Sequence, residues 1–377
     1  MQETSQELGR TWPTATKEWG ALMSSKRKDS DPTRRHWTPE QHYLMANFDL
    51  LVKEHAEGKV TLHALSRKYG FSTHYLSIQF KKRGIKHNTW TWKNTQPERK
   101  LTKVLDAANI VHQVNDRIQL DGRELDVYIP SHQIGIEVNG LYWHNENIPN
   151  KITHLAKLDL CKSKSIDLLQ FWDSEINDQL PIVMSIIMNR LNMSQERIHA
   201  RKCQIKEVPT LDARSFLEHN HIQGSVNSKV RLGLYHNDVL VALMTFGKSR
   251  LTKSSDWELV RYCSLLNHTI VGGSSKLFHH FIKTFQPKSI VSYSDRRLFG
   301  GAMYTNLDFT LSHISKPNYW YFNSKEYWPH SRIAFQKHKL VDKLATFDPD
   351  KTETENMEDN GWLRIKDCGN MVWKWKQ

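Results

Sequence analysis

The spacing of apolar positions changes along the chain, and each change marks a different kind of element. Over residues 37–88 apolar side chains recur every three or four positions. TPEQHYLMANFDLLVKEHAEG opens on Thr-Pro and carries Tyr43, Leu44, Phe48 and Leu51, which predicts a helix. VTLHALSRKYGFSTHYLSIQFKKRGI follows. Leu62, Leu65 and Tyr69 share a face, Gly70 ends that helix, and Ser72 or Thr73 can cap the next, which turns Tyr75, Leu76 and Phe80 inward. PERKLTKVLDAA starts on Pro97 and places Leu101, Val104 and Leu105 on one face of a further helix. The period then drops to two. Asp121-Gly122 is a hairpin turn, ELDVYI a strand, and QIGIEVNGLYW the next strand, with Ile134, Ile136 and Val138 on one face and Glu137 and Asn139 on the other. THLAKLDLCKSKSI returns to helical spacing, and DLLQFW reads as a buried strand of parallel type.

This order predicts an α/β multidomain chain: an arm over 1–35, a helix-turn-helix domain over 36–90, a central domain over 96–185, and an α+β region over 186–377. Residues 89–95 form a linker. In the helical domain, two short helices about a glycine turn, the second ending in Lys81, Lys82 and Arg83, have the layout of a helix-turn-helix. Thr73 and His74, at the start of that second helix, join those three cations as candidate DNA contacts.

The strand pair of the central domain carries the candidate chemistry. A charged Asp126 between Leu125 and Val127 is costly in a strand unless it has partners. Asp126 and Glu137 can meet at one end of the sheet, and two converging carboxylates make an oxygen-ligand site suited to Mg²⁺ or Mn²⁺. His144, past the second strand, is a candidate general base or phosphate ligand. Arg117 and Lys157 are candidate phosphate contacts.

Glu98, ELDVYIP, IGIEVNGLYWH, HLAK and LLQFW followed by Asp173, taken together, resemble the PD-(D/E)XK nuclease superfamily over residues 96–176. The resemblance is closest to its very short patch repair branch and to the EDxHD homing endonucleases, many of them freestanding in phages. It implies a Vsr-like nuclease fold and site-specific hydrolysis of double-stranded DNA. Asp126 then stands for the metal-binding aspartate and Glu98 for the helix glutamate. Glu137 matches the second acid of the wider superfamily. Asn139 stands where that superfamily has lysine, and being a poor base it shifts the proton-handling role to His144 or His154.

Residues 186–377 resemble the acetyltransferase-like (GNAT) fold, with Gly272-Gly273 at a helix start. Thr269 and Ser274 break that family's cofactor signature, so no cofactor other than the divalent metal is expected. YSDRR and DCGN, at 293–297 and 367–370, are features such regions share behind phage endonuclease cores. Arg296 and Arg297 accordingly count among the DNA-facing cations.

Charge agrees with a polyanion partner. Lys and Arg number 53 against 40 Asp and Glu, a net +13, as suits a nucleic-acid-binding chain. Four scattered cysteines without a C-x-x-C pair argue against a zinc ribbon or a disulfide framework. No signal peptide or membrane span is evident, so a cytoplasmic protein at a bacterial nucleoid is expected, with a homodimer as one candidate assembly. The alternatives are a DNA-binding regulator with an inactive core and an acyltransferase acting through the C-terminal region.

Overall fold

In the computed structural model the helical spacing of residues 38–85 becomes four short helices: α1 (Pro39–Ala46), α2 (Phe48–Glu57), α3 (Leu62–Tyr69) and α4 (Thr73–Lys82). The structure describes residues 38–57, 62–85, 95–142, 153–250, 255–325 and 327–377. The chain divides into two units, 1–93 and 94–377. The arm over 1–35 lies outside the described residues.

Where the sequence predicts one helix over 38–57, there are two. Asn47 breaks it, its backbone leaving helical angles at φ −113° and ψ 54°; its N–H still donates to Tyr43 O at 2.9 Å, and its side chain adds a second bond to the same carbonyl at 3.0 Å. Tyr43 faces outward at 60% exposure, while Leu44, Phe48, Leu51, Leu62, Leu65, Leu76 and Phe80 form the core of this unit. Gly70, at φ +73°, makes the turn between α3 and α4, and Ser66 Oγ closes it by donating to Phe71 O at 2.6 Å.

The second unit opens with α5 (Gln96–Ala107), started by a capping box between Thr95 and Glu98. Strands β1 (Gln113–Leu120), β2 (Arg123–Ile129) and β3 (Ile134–Asn139) follow, then α6 (His154–Ser163) and β4 (Asp167–Trp172). The sheet order is β1-β2-β3-β4, with β3 and β4 parallel and the other pairs antiparallel. One face is wholly apolar. Val127, Ile136, Val138, Leu169 and Phe171 pack there with α5, α7 (Asp173–Asp178) and α8 (Leu180–Arg190). The face toward α6 mixes Tyr128 and Leu168 with polar groups.

A second sheet follows. Strand β5 (Glu196–His199) lies outside it; β6 (Gln204–Glu207), α9 (Thr210–Asn220), β7 (Val230–His236), β8 (Val239–Gly247) and β9 (Trp257–Ser264) lead to β10 (His268–Val271), which pairs with β5. Then come α10 (Gly273–Phe285), β11 (Ser289–Asp295), β12 (Thr310–Ile314), β13 (Tyr319–Phe322), β14 (His330–Ser331), α11 (Glu353–Asp359), β15 (Leu363–Lys366) and β16 (Asn370–Lys376). The seven-stranded order is β12-β16-β11-β9-β8-β7-β6. Strands β9 and β11 run parallel and pair only at Ile290↔Trp257 and Val291↔Glu258, so they part beyond those residues. Helix α10 packs on one face through Leu277, Phe278 and Phe281, and α9 on the other through Ala213, Phe216 and Leu217. A three-stranded sheet, β14-β13-β15, packs through Phe322 and Ile365 on Leu141 and Trp172 at the end of the four-stranded one. Among the described residues no helix is long and apolar enough to cross a membrane.

Candidate active site

Strands β2 and β3 pair from Ile129↔Ile134 to Val127↔Ile136, and there the ladder stops. Asp126 and Glu137 face each other across the opening, and their side chains take over as acceptors. Asp126 N–H donates to Glu137 Oε1 at 3.2 Å, and Val138 N–H donates to Asp126 Oδ2 at 2.8 Å. Two backbone donors that an ended ladder would leave unsatisfied thus hold both carboxylates at one point. Lys157, in the first turns of α6, donates from Nζ to Glu137 Oε2.

The electrostatics follow from this crowding. Burial, and next the charge of Glu137, push the Asp126 carboxyl well above the usual aspartate range; the Lys157 charge and the Val138 N–H oppose the rise. Burial also raises Glu137, again against Lys157. One ammonium is therefore too little positive charge for two buried carboxylates, and the pair favours a further proton or cation. Cys161, one turn along α6 from Lys157, is buried, and its thiol is pushed up to about 11 by burial and by Glu137.

The donor set suits a hard divalent ion: oxygen ligands only, with net negative charge. Asp126 and Glu137 would hold it. Glu98 stands close enough for its charge to raise Asp126 further, although its carboxyl caps α5 by accepting from Thr95 N–H and Thr95 Oγ1. Among the described residues no cluster of three or more His, Cys, Asp or Glu side chains is arranged as a metal site, so a metal here rests on the two facing acids.

Several predicted residues sit elsewhere than the sequence suggests. Lys157 is not a solvent-facing phosphate contact; its side chain is 14% exposed and faces Glu137. His154 is buried at 8%, its Nδ1 bonded to Lys366 O at 2.7 Å and its ring edge-on to Trp172. Asn139, 2% exposed, donates to Gln170 Oε1 at 3.5 Å. Arg117 pairs with Glu124 at the surface. Arg296 and Arg297 do not face outward. Arg296 donates to Cys368 O at 2.9 Å. Arg297, 4% exposed, pairs with Glu175 and Asp295 and lies over the Trp172 ring at 4.5 Å. Lys81, Lys82 and Arg83 are exposed at the end of α4, with Arg83 also over the Phe48 ring. His144 and the side chains of Thr73 and His74 lie outside the described residues.

Other residues near the site carry weight that the sequence reading passed over. Gln170, fully buried, links Asn139 to His154 O and Cys368 Sγ; an amide interrupting the apolar run DLLQFW is its signal. Tyr327 donates to Asp173 Oδ2 at 2.6 Å and accepts from Tyr142 N–H, and Asp173 Oδ1 accepts from Leu141 N–H at 3.3 Å. Together they hold the turn leaving β3. In the C-terminal half Gly272, at φ +74°, precedes α10, and Lys276 in that helix is committed to Ala200 O and Cys203 O.

No family model and no curated protein matches the chain. Solved structures similar to parts of it include the catalytic domain of the homing endonuclease I-Bth0305I, at 26% identity over 26% of this chain and 97% of that domain, TM-score 0.22. Others are a GNAT family acetyltransferase from Elizabethkingia anophelis with acetyl-CoA bound, at 10% identity over 47% of this chain and 99% of that one, TM-score 0.27, and a Bacillus subtilis acetyltransferase in complex with CoA, at 11% identity over 47% and 99%, TM-score 0.28. At these scores the likenesses establish neither a family nor an activity.

Proposed function

We propose that this protein is a metal-dependent endonuclease that hydrolyses phosphodiester bonds of double-stranded DNA at a specific site, as a homing endonuclease does. The observation that carries the reading is the meeting of Asp126 and Glu137 where the β2–β3 ladder ends, with Lys157 on the same spot. Net charge +13 supports a polyanionic substrate.

Asp126 and Glu137 are the residues that would hold Mg²⁺ or Mn²⁺. When bound, such an ion polarises the phosphodiester and acidifies a water. Lys157 orients Glu137 and puts a fixed positive charge beside the point where charge gathers on the scissile phosphate. Asn139, facing Gln170, keeps the end of β3 fixed against β4. His144 is assigned proton handling, and Glu98 tunes Asp126 by its charge. Helices α3 and α4 are proposed as a helix-turn-helix that reads DNA, with Lys81, Lys82 and Arg83 on phosphates.

A DNA-binding regulator with an inactive core is the second reading. It draws support from Glu137, both of whose oxygens already accept bonds, from Asp126 N–H and from Lys157. One experiment separates the two. The protein is incubated with the genome of its source and of a close relative, with Mg²⁺ or Mn²⁺, and new DNA ends are mapped. Discrete ends are expected from the wild type, and their loss with DNA binding retained from Asp126→Ala. Bound but uncut DNA under both metals favours the regulator, and unchanged cutting by Asp126→Ala rejects this site.

A further inference from the structure

A cavity of about 590 Å³ opens where β9 and β11 part, between the four-stranded sheet and the small sheet. None of Asp126, Glu137 and Lys157 lines it. Its wall carries the rings of Tyr293, Trp320 and Trp328 and a set of charged groups.

The acids of this wall are already committed. Glu258 pairs with Arg250, Glu175 and Asp295 with Arg297, and Glu218 holds Ser225. Asp367 accepts from Trp320 Nε1 and from the backbone N–H groups of Asn318 and Gly369. Arg261 differs. Its Nε donates to Gly224 O at 3.3 Å and its Nη1 to Val260 O at 3.0 Å, both neutral carbonyls. Among the described residues it has no carboxylate partner within salt-bridge distance.

The wall is not short of acids, but their charges are spent on other partners, and Glu258 acts on Arg261 only through its charge. Burial, and next the charge of Arg250, bring Arg261 down to about 10. Burial and the Arg261 charge push His221 down to about 3, and its Nδ1 accepts from Gln223 N–H, as a neutral ring can. Thr245, directly across from Arg261 on β8, is fully buried with a hydroxyl that has no hydrogen-bond partner. A guanidinium in such a place favours a planar or tetrahedral oxyanion. Rings beside it favour a stacked heterocycle, and the volume falls within the roughly 300–1,000 Å³ of small-molecule sites.

We propose that this cavity binds a nucleoside monophosphate, with the phosphate on Arg261 and the base against the aromatic wall. The site is separate from the proposed cleavage site and does not depend on it.

The test titrates the full-length protein with deoxyadenosine 5′-monophosphate, and in parallel with inorganic phosphate and with deoxyadenosine, by calorimetry. Saturable binding of the monophosphate is expected, with each half-ligand about tenfold weaker or more, and a loss of about tenfold in Arg261→Gln, since one charge-assisted hydrogen bond is at stake. Asp126→Asn should bind as the wild type does, so that failure of the cleavage assignment leaves this result standing. Trp328→Leu is the second variant, which keeps the test open if Arg261→Gln does not fold; it should weaken the monophosphate and leave phosphate unchanged. Absence of saturable binding, undiminished binding in a folded Arg261→Gln protein, or phosphate alone binding as tightly as the nucleotide would each overturn the proposal.

Discussion

Asp126 concentrates the conflict at the residue scale. Its carboxyl serves a backbone donor, yet burial and Glu137 both disfavour its charge. An acid whose folded pKa is raised holds its proton more tightly folded than unfolded. Stability therefore falls as pH rises from the unfolded value, about 4, through the raised folded value. Asp126→Asn keeps an oxygen for Val138 N–H and removes the charge. The variant should be more stable than the wild type at pH 8, with the gap closing as pH approaches about 4. Thermal unfolding across that range checks it. A gap independent of pH, or a less stable variant at pH 8, would contradict the assigned environment. Gained stability together with lost cleavage is the pattern expected when a site is kept for chemistry rather than folding.

At the scale of elements, what matters is where regular pairing ends. The β2–β3 ladder stops one position short of the acids, and so leaves them free to converge. Asn47 divides the first predicted helix. Gly369, in the DCGN run, is another such point: its φ is +75°, and a Cβ there would lie 2.3 Å from Ser315 O. Gly361 has nearly the same φ, +76°, but nothing within 4 Å of a Cβ. Gly361→Ala should cost about 1–2 kcal/mol, the penalty of left-handed backbone alone. Gly369→Ala should cost more, by about 1–3 kcal/mol of added strain. Urea unfolding followed by tryptophan fluorescence compares them. Equal costs would show that the Ser315 carbonyl yields without strain.

Across the second unit, one residue ties two sheets. Arg297 N–H groups reach Glu175 at the start of α7 and Asp295 at the end of β11, while Arg297 O accepts from Gln170 N–H on the outer edge of β4 at 3.0 Å. That edge is thus covered rather than left open to pairing. Arg190 adds a second tie, to Asp167 and Leu298 O. Arg297→Met would leave two buried acids without their cation, and about 3–5 kcal/mol of stability should go with it. Combining it with Glu175→Gln should recover part of that loss, because the two residues act on one network. Thermal unfolding of the single and double variants measures this; strictly additive losses would mean the pair is not coupled.

Local pattern was enough, on its own, for α5, α6, β2 and β4, for the opposite faces of β3, and for Asp126 and Glu137 as the acids to watch; it did not name the strand Gln113–Leu120, and it carried β3 past Asn139, where the strand ends. Alternation with period two and a charge placed between apolar neighbours are properties of neighbouring residues, so they can be read along the chain. The partners of charges are not. Lys157 reads as a helix-surface cation, and only the packing of α6 against β3 turns it toward Glu137. Arg296 and Arg297 read as two exposed basic residues, and only the meeting of the two sheets buries them. His154 is buried against Lys366 O for the same reason, since Lys366 lies far away in sequence. Burial and charge pairing depend on contacts between distant segments, and those are decided when the sheets come together.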